Sequence, residues 1–349
     1  MSGGLTPEHE LFFTEAPADP EMRESTSVWL FEENGAFSLP RIGIEAVADT
    51  WDHDRDFQVN GSFEGGRVLV DRSTGDVPSP LDENGRPTIL GAGPLEFRCL
   101  EPFRRWAMRF DGDVVDGTVD QQITRSLDPT KRSRLRFEVE MEMATPAWTH
   151  DLMPDKVAKM SEAEQRDAAS MGIGWRLEHT FRGEGTIEVD GKSRSFRAVG
   201  SRIKRQSVRP LGGFRGHCWQ SALFPDGRAF GYIAYPPAGD GTEPYNDGWV
   251  YEGGKMYRAK ARRMPWLRRL LHSGDDGSVE LEYERGVLRV DGSTLLPTFK
   301  IMKTSDGLPV DFNLQQTAVR YSLDGMDTFG LLERSCTGDE LESSESETA

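Results

Sequence analysis

Asp-Gly occurs ten times in this 349-residue chain and Asn-Gly three times more, and no other feature narrows its folding options as far. An Asx-Gly pair accepts the positive φ values that two-residue hairpin loops demand. A chain punctuated so often folds as many short strands rather than as long helices. The segments between the turns agree, because they alternate with period two. Leu135, Phe137, Val139, Met141 and Met143 fall on one side of a strand, and Arg134, Arg136, Glu138, Glu140 and Glu142 on the other. That pattern predicts an antiparallel strand with one buried and one wet face. Residues 186–189, 196–199, 278–284 and 318–323 read the same way. The fold class expected is all-β, built as a sandwich or barrel.

Helical signals are few. Residues 155–171 are rich in helix formers and follow Pro154, while residues 258–272 are basic and broken by Pro265, with room for a short helix after it. The length suggests about two domains. The helical insertion marks the break, giving a first unit over 27–182 and a second over 183–335. Each holds strands, Asx-Gly turns and one arginine-rich motif. Residues 1–26 are acidic and proline-containing, and 336–349 are almost without apolar residues, so both ends read as flexible tails.

Charge and missing motifs exclude whole classes of function. Acidic residues number 58 against 42 basic ones, a net charge of −16. Nucleic acid and anionic membranes are poor partners for such a chain. No apolar run reaches the ~18 residues of a membrane-spanning helix, and no secretory leader is visible. Cys99, Cys218 and Cys336 cannot all pair and lie far apart, which predicts a reduced, cytoplasmic protein. GxxxxGK[ST], GxGxxG after a strand, HExxH and GxSxG are all missing. Neither a cofactor nor a metal is therefore expected. The oligomeric state is not encoded in any recognisable feature.

Chemistry has to come from a pocket assembled by distant strands. In residues 200–237, Arg202, Lys204, Arg205 and Arg209 precede His217, Trp219, Tyr232 and Tyr235. His217, Trp219, Ser221 and Leu223 share a strand face, and Leu223 marks that face as inward. A histidine beside a tryptophan has a proton to exchange near neutral pH, and a hydrogen-bonded core histidine is the plainer alternative. Trp175, Leu177, His179 and Phe181 share another apolar face, so His179 has the same two readings. Arg202 and Arg209, if buried, need a carboxylate or a polar ligand, with Asp49, Glu101, Asp226 and Asp247 as candidate partners. Over residues 236–251, Tyr245, Asp247 and Trp249 either rim a pocket mouth or pack as a turn.

In its order of segments the chain resembles the carotenoid 1,2-hydratase-like, or AttH-like, family. The order runs LEFRCLEPFRRW, a strand over 175–185, VDGK, a Gly-x-Arg block over 200–209, and HCWQSALFPDGRAFGY. The resemblance spans residues 29–333 and implies two consecutive lipocalin-like barrels with a short helical insertion. It also implies a lipophilic ligand. Relatives carry an acid directly after the arginine that corresponds to Arg202, and Ile203 stands there in this chain, so a mechanism resting on that acid does not transfer. Two readings of function follow. The first is a cofactor-independent hydratase, dehydratase or isomerase acting on a terpenoid-, steroid- or polyketide-type molecule. His217, His179 or Asp247 would move the proton, and Trp175, Trp219, Tyr232, Tyr235 and Tyr245 would line the substrate. The aromatic faces would shelter developing positive charge. The second is a non-catalytic carrier of a lipophilic ligand, with Arg202 or Arg205 anchoring its polar end.

Overall fold

The computed structural model describes residues 1–48, 51, 53–150, 152–239, 241 and 243–342. The chain runs through β1 (Met22–Glu32), β2 (Phe37–Val47), β3 (Arg55–Phe63), β4 (Arg67–Gly75), β5 (Ile89–Ala92), β6 (Leu95–Glu101) and β7 (Arg105–Thr118). One turn of helix, α1 (Val119–Ile123), leads to β8 (Arg132–Met143) and the two-residue β9 (Trp148–Thr149). Helices α2 (Pro154–Val157) and α3 (Glu162–Met171) precede the long hairpin of β10 (Ile173–Val189) and β11 (Lys192–Val208). Then come β12 (His217–Leu223), β13 (Ala229–Ala234), β14 (Asn246–Glu252) and β15 (Lys255–Arg263). The last strands are β16 (Val279–Tyr283), β17 (Gly286–Met302), β18 (Phe312–Leu323) and β19 (Met326–Cys336).

The first sheet has the order β4-β3-β2-β1-β11-β10-β8-β7-β6-β5, and β4 also pairs with the far end of β7, bringing its two sides together. The second is a closed barrel, β12 through β19 in sequence order. The fold is the expected all-β, two-barrel, lipocalin-like arrangement. Its local logic is that of the sequence. In β8 the apolar residues from Leu135 to Met143 are buried and their charged neighbours exposed. Asp190-Gly191 and Asp324-Gly325 both have positive φ at each residue, 50° and 78° in one and 51° and 77° in the other, and close the hairpins β10–β11 and β18–β19. Helix α3 begins at Ser161, whose side chain caps Glu164 N–H.

Several expectations need correction. The break expected at 182 and 183 falls inside β10, and β10 and β11 both belong to the first sheet. The chain enters the second barrel only at His217. A long hairpin joined by Asp-Gly looks the same within a domain and between two, so nothing local marked it. The N-terminal segment is not a loose tail, since Glu10 and Phe12 are buried and β1 begins at Met22. At the other end Cys336 is buried in β19 and Glu342 N–H donates to the Arg268 carbonyl at 2.8 Å. Residues 343–349 lie outside the described residues. No helix follows Pro265. Asp111-Gly112 and Asp291-Gly292 sit within β7 and β17 rather than at turns.

The two barrels meet along strands buried on both faces. Every residue of β12 is buried. Cys218, Gln220 and Ala222 point into their own barrel, toward Tyr232 and Tyr321. Trp219 and Leu223 point at the first barrel, packing with Trp29, Ile203 and Val199. The face expected to point inward does so, but into the seam between barrels rather than into its own. The seam is also hydrogen-bonded. Ser201 and Ser221 hydroxyls lie 2.6 Å apart, and Asn60 Nδ2 donates to Gln316 Oε1 at 2.7 Å.

Candidate functional site

The seam opens into a cavity of about 410 Å³. Its floor is the outer face of the first sheet. Register sets Arg176, Arg205, Ser25 and Glu45 side by side across β10, β11, β1 and β2. Two residues along, Ile203, Ser27 and Gly43 form the next row. Small side chains in the middle make the hollow. A Cβ built on Gly43 would come within 2.7 Å of Ser27 Oγ. The roof comes from the second barrel, with His217 and Trp219 on β12, Tyr235 after β13, Lys300 on β17, Gln316 on β18 and Glu333 on β19.

The roof chemistry follows from strand register. His217 faces Ser335 and Trp219 faces Glu333 across β12–β19, and Gln316 faces Glu333 across β18–β19. His217 Nδ1 lies 2.8 Å from Ser335 Oγ and Nε2 lies 3.2 Å from Glu333 Oε1. The other carboxylate oxygen accepts from Gln316 Nε2 at 2.5 Å and from Trp29 Nε1 at 3.3 Å. Burial pushes the Glu333 carboxyl up, but the hydrogen bond with His217 and the charge of Arg41 outweigh it and hold it at about 2. Lys300 Nζ donates to Gln58 Oε1 at 2.8 Å. Enclosure, then the charges of Arg72 and Arg41, push its amine down to about 7. Toward solvent Arg72 pairs with Asp306 at 3.3 Å.

Cations outnumber acids on the wall. Arg23, Arg41, Arg72, Arg176, Arg205, Arg209 and Lys300 face Glu45, Asp56, Asp306 and Glu333. Arg41 lies over the Trp29 ring at 4.8 Å and Arg176 over Trp219 at 5.6 Å. Trp29 and Trp219 themselves meet edge to face at 4.5 Å.

The residues expected to form one site fall into five places. His217, Trp219 and Tyr235 line the cavity together. Tyr245 packs behind Tyr235, its ring tilted at 5.7 Å, and its hydroxyl lies 3.1 Å from His150 Nδ1. Asp247 lies in that same layer, 3.4 Å from His150 Nδ1, while His150 Nε2 lies 2.8 Å from Glu178 Oε1. His179 and Arg202 lie inside the first barrel instead. Arg202 donates to Glu10 at 2.7 Å and sits 3.1 Å from His179 Nδ1, and Glu10 also accepts from Trp106. Burial, then the Arg202 charge, push the His179 ring down to about 3, so it is neutral at pH 7. Trp175 packs on His9 at 4.0 Å. Tyr232 is in the core of the second barrel, donating to Gln220 Oε1 at 2.5 Å. Of the partners expected for Arg202, Glu101, Asp226 and Asp247 pair with other arginines, and Asp49 lies outside the described residues.

Sequence reasoning missed Glu333, Lys300, Arg176 and His150. Glu333 carried a usable signal, since Leu331, Glu333 and Ser335 share a face and one of them is a carboxylate in a stretch, residues 330–336, that is buried throughout. Among the described residues no group of three or more His, Cys, Asp or Glu is arranged to hold a metal ion. None of the helices described is long and apolar enough to cross a membrane.

No curated protein matches this sequence. Solved structures do match in fold. A protein assigned as AttH (NE1406) from Nitrosomonas europaea is 12% identical, covers 90% of this chain and 92% of its own, and has a TM-score of 0.53. CghA, crystallised with Sch210972, is 10% identical over 95% of this chain and 97% of its own, with a TM-score of 0.51. Kievitone hydratase from Nectria haematococca is 11% identical over 95% of each chain, at a TM-score of 0.46. Such identities speak for the fold alone, the two-barrel fold that the order of sequence segments implied. Across residues 6–336 the match is to a sequence family, and the chain belongs to it: the family described as Domain of unknown function (DUF7064).

Proposed function

We propose that the protein is a cofactor-independent hydratase, dehydratase or double-bond isomerase whose hydrophobic substrate enters the cavity between the barrels. The observation that carries this reading is the His217–Glu333 pair on the wall of a partly apolar cavity, 3.2 Å apart, with the carboxylate held ionised. An ionised carboxylate at Nε2 holds the ring N–H on that side and orients the ring, leaving Nδ1 as the proton acceptor that general acid–base chemistry requires. Lys300, with its amine near neutrality, supplies a second group able to give or take a proton on the same wall. Ser335 Oγ lies on the Nδ1 side of His217, and a substrate C–H or O–H taking its place there would meet the ring's lone pair and give its proton to Nδ1. CghA, of the same fold, is a precedent for small-molecule binding, since it was crystallised with Sch210972.

The electrostatics favour one kind of intermediate. Trp29 and Trp219 are each already faced by a guanidinium, so they are poorly placed to shelter a carbocation as well. A wall rich in arginine instead stabilises negative charge as it develops. Addition or loss of water beside a carbonyl, or a double-bond shift through an enolate, fits this wall better than protonation of an isolated alkene. Asp247 and Tyr245, one layer behind, would position rather than react.

The carrier reading is favoured by one observation, that both His217 ring nitrogens are engaged by protein atoms. Native mass spectrometry followed by organic extraction identifies the compound that co-purifies. Wild type, His217→Ala and Lys300→Met are then incubated with it. The enzyme reading expects His217→Ala to bind but to lose about 100-fold or more in turnover. A compound that binds and is never converted by the wild type establishes the carrier.

A further inference from the structure

The floor of the cavity holds more positive charge than its own acids can neutralise. Glu45 is the one carboxylate in the row Arg176, Arg205, Ser25 and Glu45, and its close partner is Arg23, at 2.8 Å. Arg176 is paired with Glu178. Arg209 donates Nε to the Ser170 carbonyl at 2.9 Å, a dipole and not a charge. Arg205 is 8% exposed, its side chain makes no hydrogen bond or ion pair among the described residues, and its Nε is buried without a partner. The Tyr235 hydroxyl, also on the cavity wall, is buried and lacks any hydrogen-bond partner.

These unsatisfied groups have one thing in common. A guanidinium is a donor only, and burial raises the Tyr235 phenol, which keeps its proton and its capacity to donate. Buried donors without acceptors are costly. The cost at Arg205 is compounded by burial and by the like charges of Arg209 and Arg176, which push its pKa down. Guanidinium does not escape by losing a proton at any ordinary pH. It therefore stands as a buried, unpaired cation, and an acceptor bearing negative charge satisfies it.

We propose that the cavity takes an amphipathic acid, an apolar body carrying one oxyanion head group that is received between Arg205, Arg209 and the Tyr235 hydroxyl. The proposal rests on the reading of the cavity as a ligand site and names the class of ligand. The acceptor end adjoins the reacting wall, since Phe214 touches both the Tyr235 and the His217 rings. Arg205 and Arg209 act electrically on Glu45, whereas Lys300 and Arg41 act on Glu333. A head group at the first end leaves the body to extend toward His217 and Lys300. The fork of a guanidinium matches the two oxygens of a carboxylate, sulfonate or phosphate.

Two fluorescent dyes of one skeleton test this. 1-Anilinonaphthalene-8-sulfonate carries the oxyanion, and N-phenyl-1-naphthylamine lacks it. The wild type is expected to bind the sulfonate about tenfold tighter or better, as a charge-assisted contact provides. Arg205→Gln is expected to remove that preference while holding the neutral dye within about twofold, and to melt no lower than the wild type, because it deletes an unpaired buried charge. Arg197→Gln, an exposed change on the same strand, controls for adsorption to the surface and is expected to keep the preference. Equal affinity for the two dyes, or a preference that survives Arg205→Gln, overturns the proposal and leaves the acid–base reading standing. Binding of neither dye overturns both. cis-Parinaric acid against its methyl ester repeats the comparison for a carboxylate, and tighter binding of the ester overturns the proposal for that head group.

Discussion

Arg202 and Arg205 stand three residues apart on β11 and point to opposite sides of one sheet. Arg202 goes into the first barrel, fully buried, against Glu10. Arg205 goes into the cavity. Taking away one partner of a buried pair leaves the other charge stranded, at a cost of about 3–5 kcal/mol. Arg202→Met is therefore expected to destabilise the protein by that amount in chemical denaturation, and Glu10→Gln placed on top of it to recover most of the loss. Arg205→Met has no such partner to strand and is expected to be neutral or stabilising in the same assay. If both arginines cost alike, the assignment of one to structure and the other to ligand is wrong. His179 follows Arg202. Its ring is expected to remain neutral down to about pH 4 by NMR, because burial and the adjacent guanidinium hold it near 3.

At the level of elements, what could be read from the sequence depended on how many faces of a strand are wet. β8 and β16 have one wet face, and their alternation gave both their existence and their orientation. Strands β1, β11, β12 and β19 are covered by their own barrel on one side and by the other barrel on the second. Alternation fades there, so sequence could find Arg202 and Arg205 but not tell which faced a cavity. It found His217 and Trp219 by residue type, yet Glu333, more than a hundred residues on, is brought beside them only by closure of the barrel. The hollow itself depends on a missing side chain on β2. Gly43→Leu is expected to fill it, cost about 1–3 kcal/mol by overpacking against Ser27, and abolish binding of N-phenyl-1-naphthylamine. Unchanged dye affinity in that variant would place the ligand elsewhere.

For the whole molecule, stability should track acidity in a defined direction. Glu178 and Glu333 are held at about 2, below the ordinary 4.5, and His179 at about 3, below 6.5. In each case the unfolded chain binds more protons inside that window, so folding weakens as pH falls through it. Melting temperature is expected to drop from pH 6.5 to 3 through His179, and more steeply from 4.5 to 2 through the carboxylates. His179→Gln should flatten the first part and Glu333→Gln part of the second. The amine of Lys300, lowered from 10.5 to about 7, adds a rise in stability over that alkaline interval. A melting temperature that is flat from pH 7 to 3 would contradict the buried charge arrangement as a whole.

The Trp29 indole donates to Glu333 across 304 residues of chain. Neither wall of the cavity exists without the other, and a ribosome releases the last wall strand about three hundred residues after the first. While the protein is being made, the first barrel can assemble, but its arginine-lined outer face has no roof until β19 closes. For that interval a buried cation of the finished protein is wetted and costs nothing. Occupancy is thus postponed until β19 has emerged and closed the roof, and a chain cut short before Glu333 should be blind to its ligand even where its first barrel folds correctly.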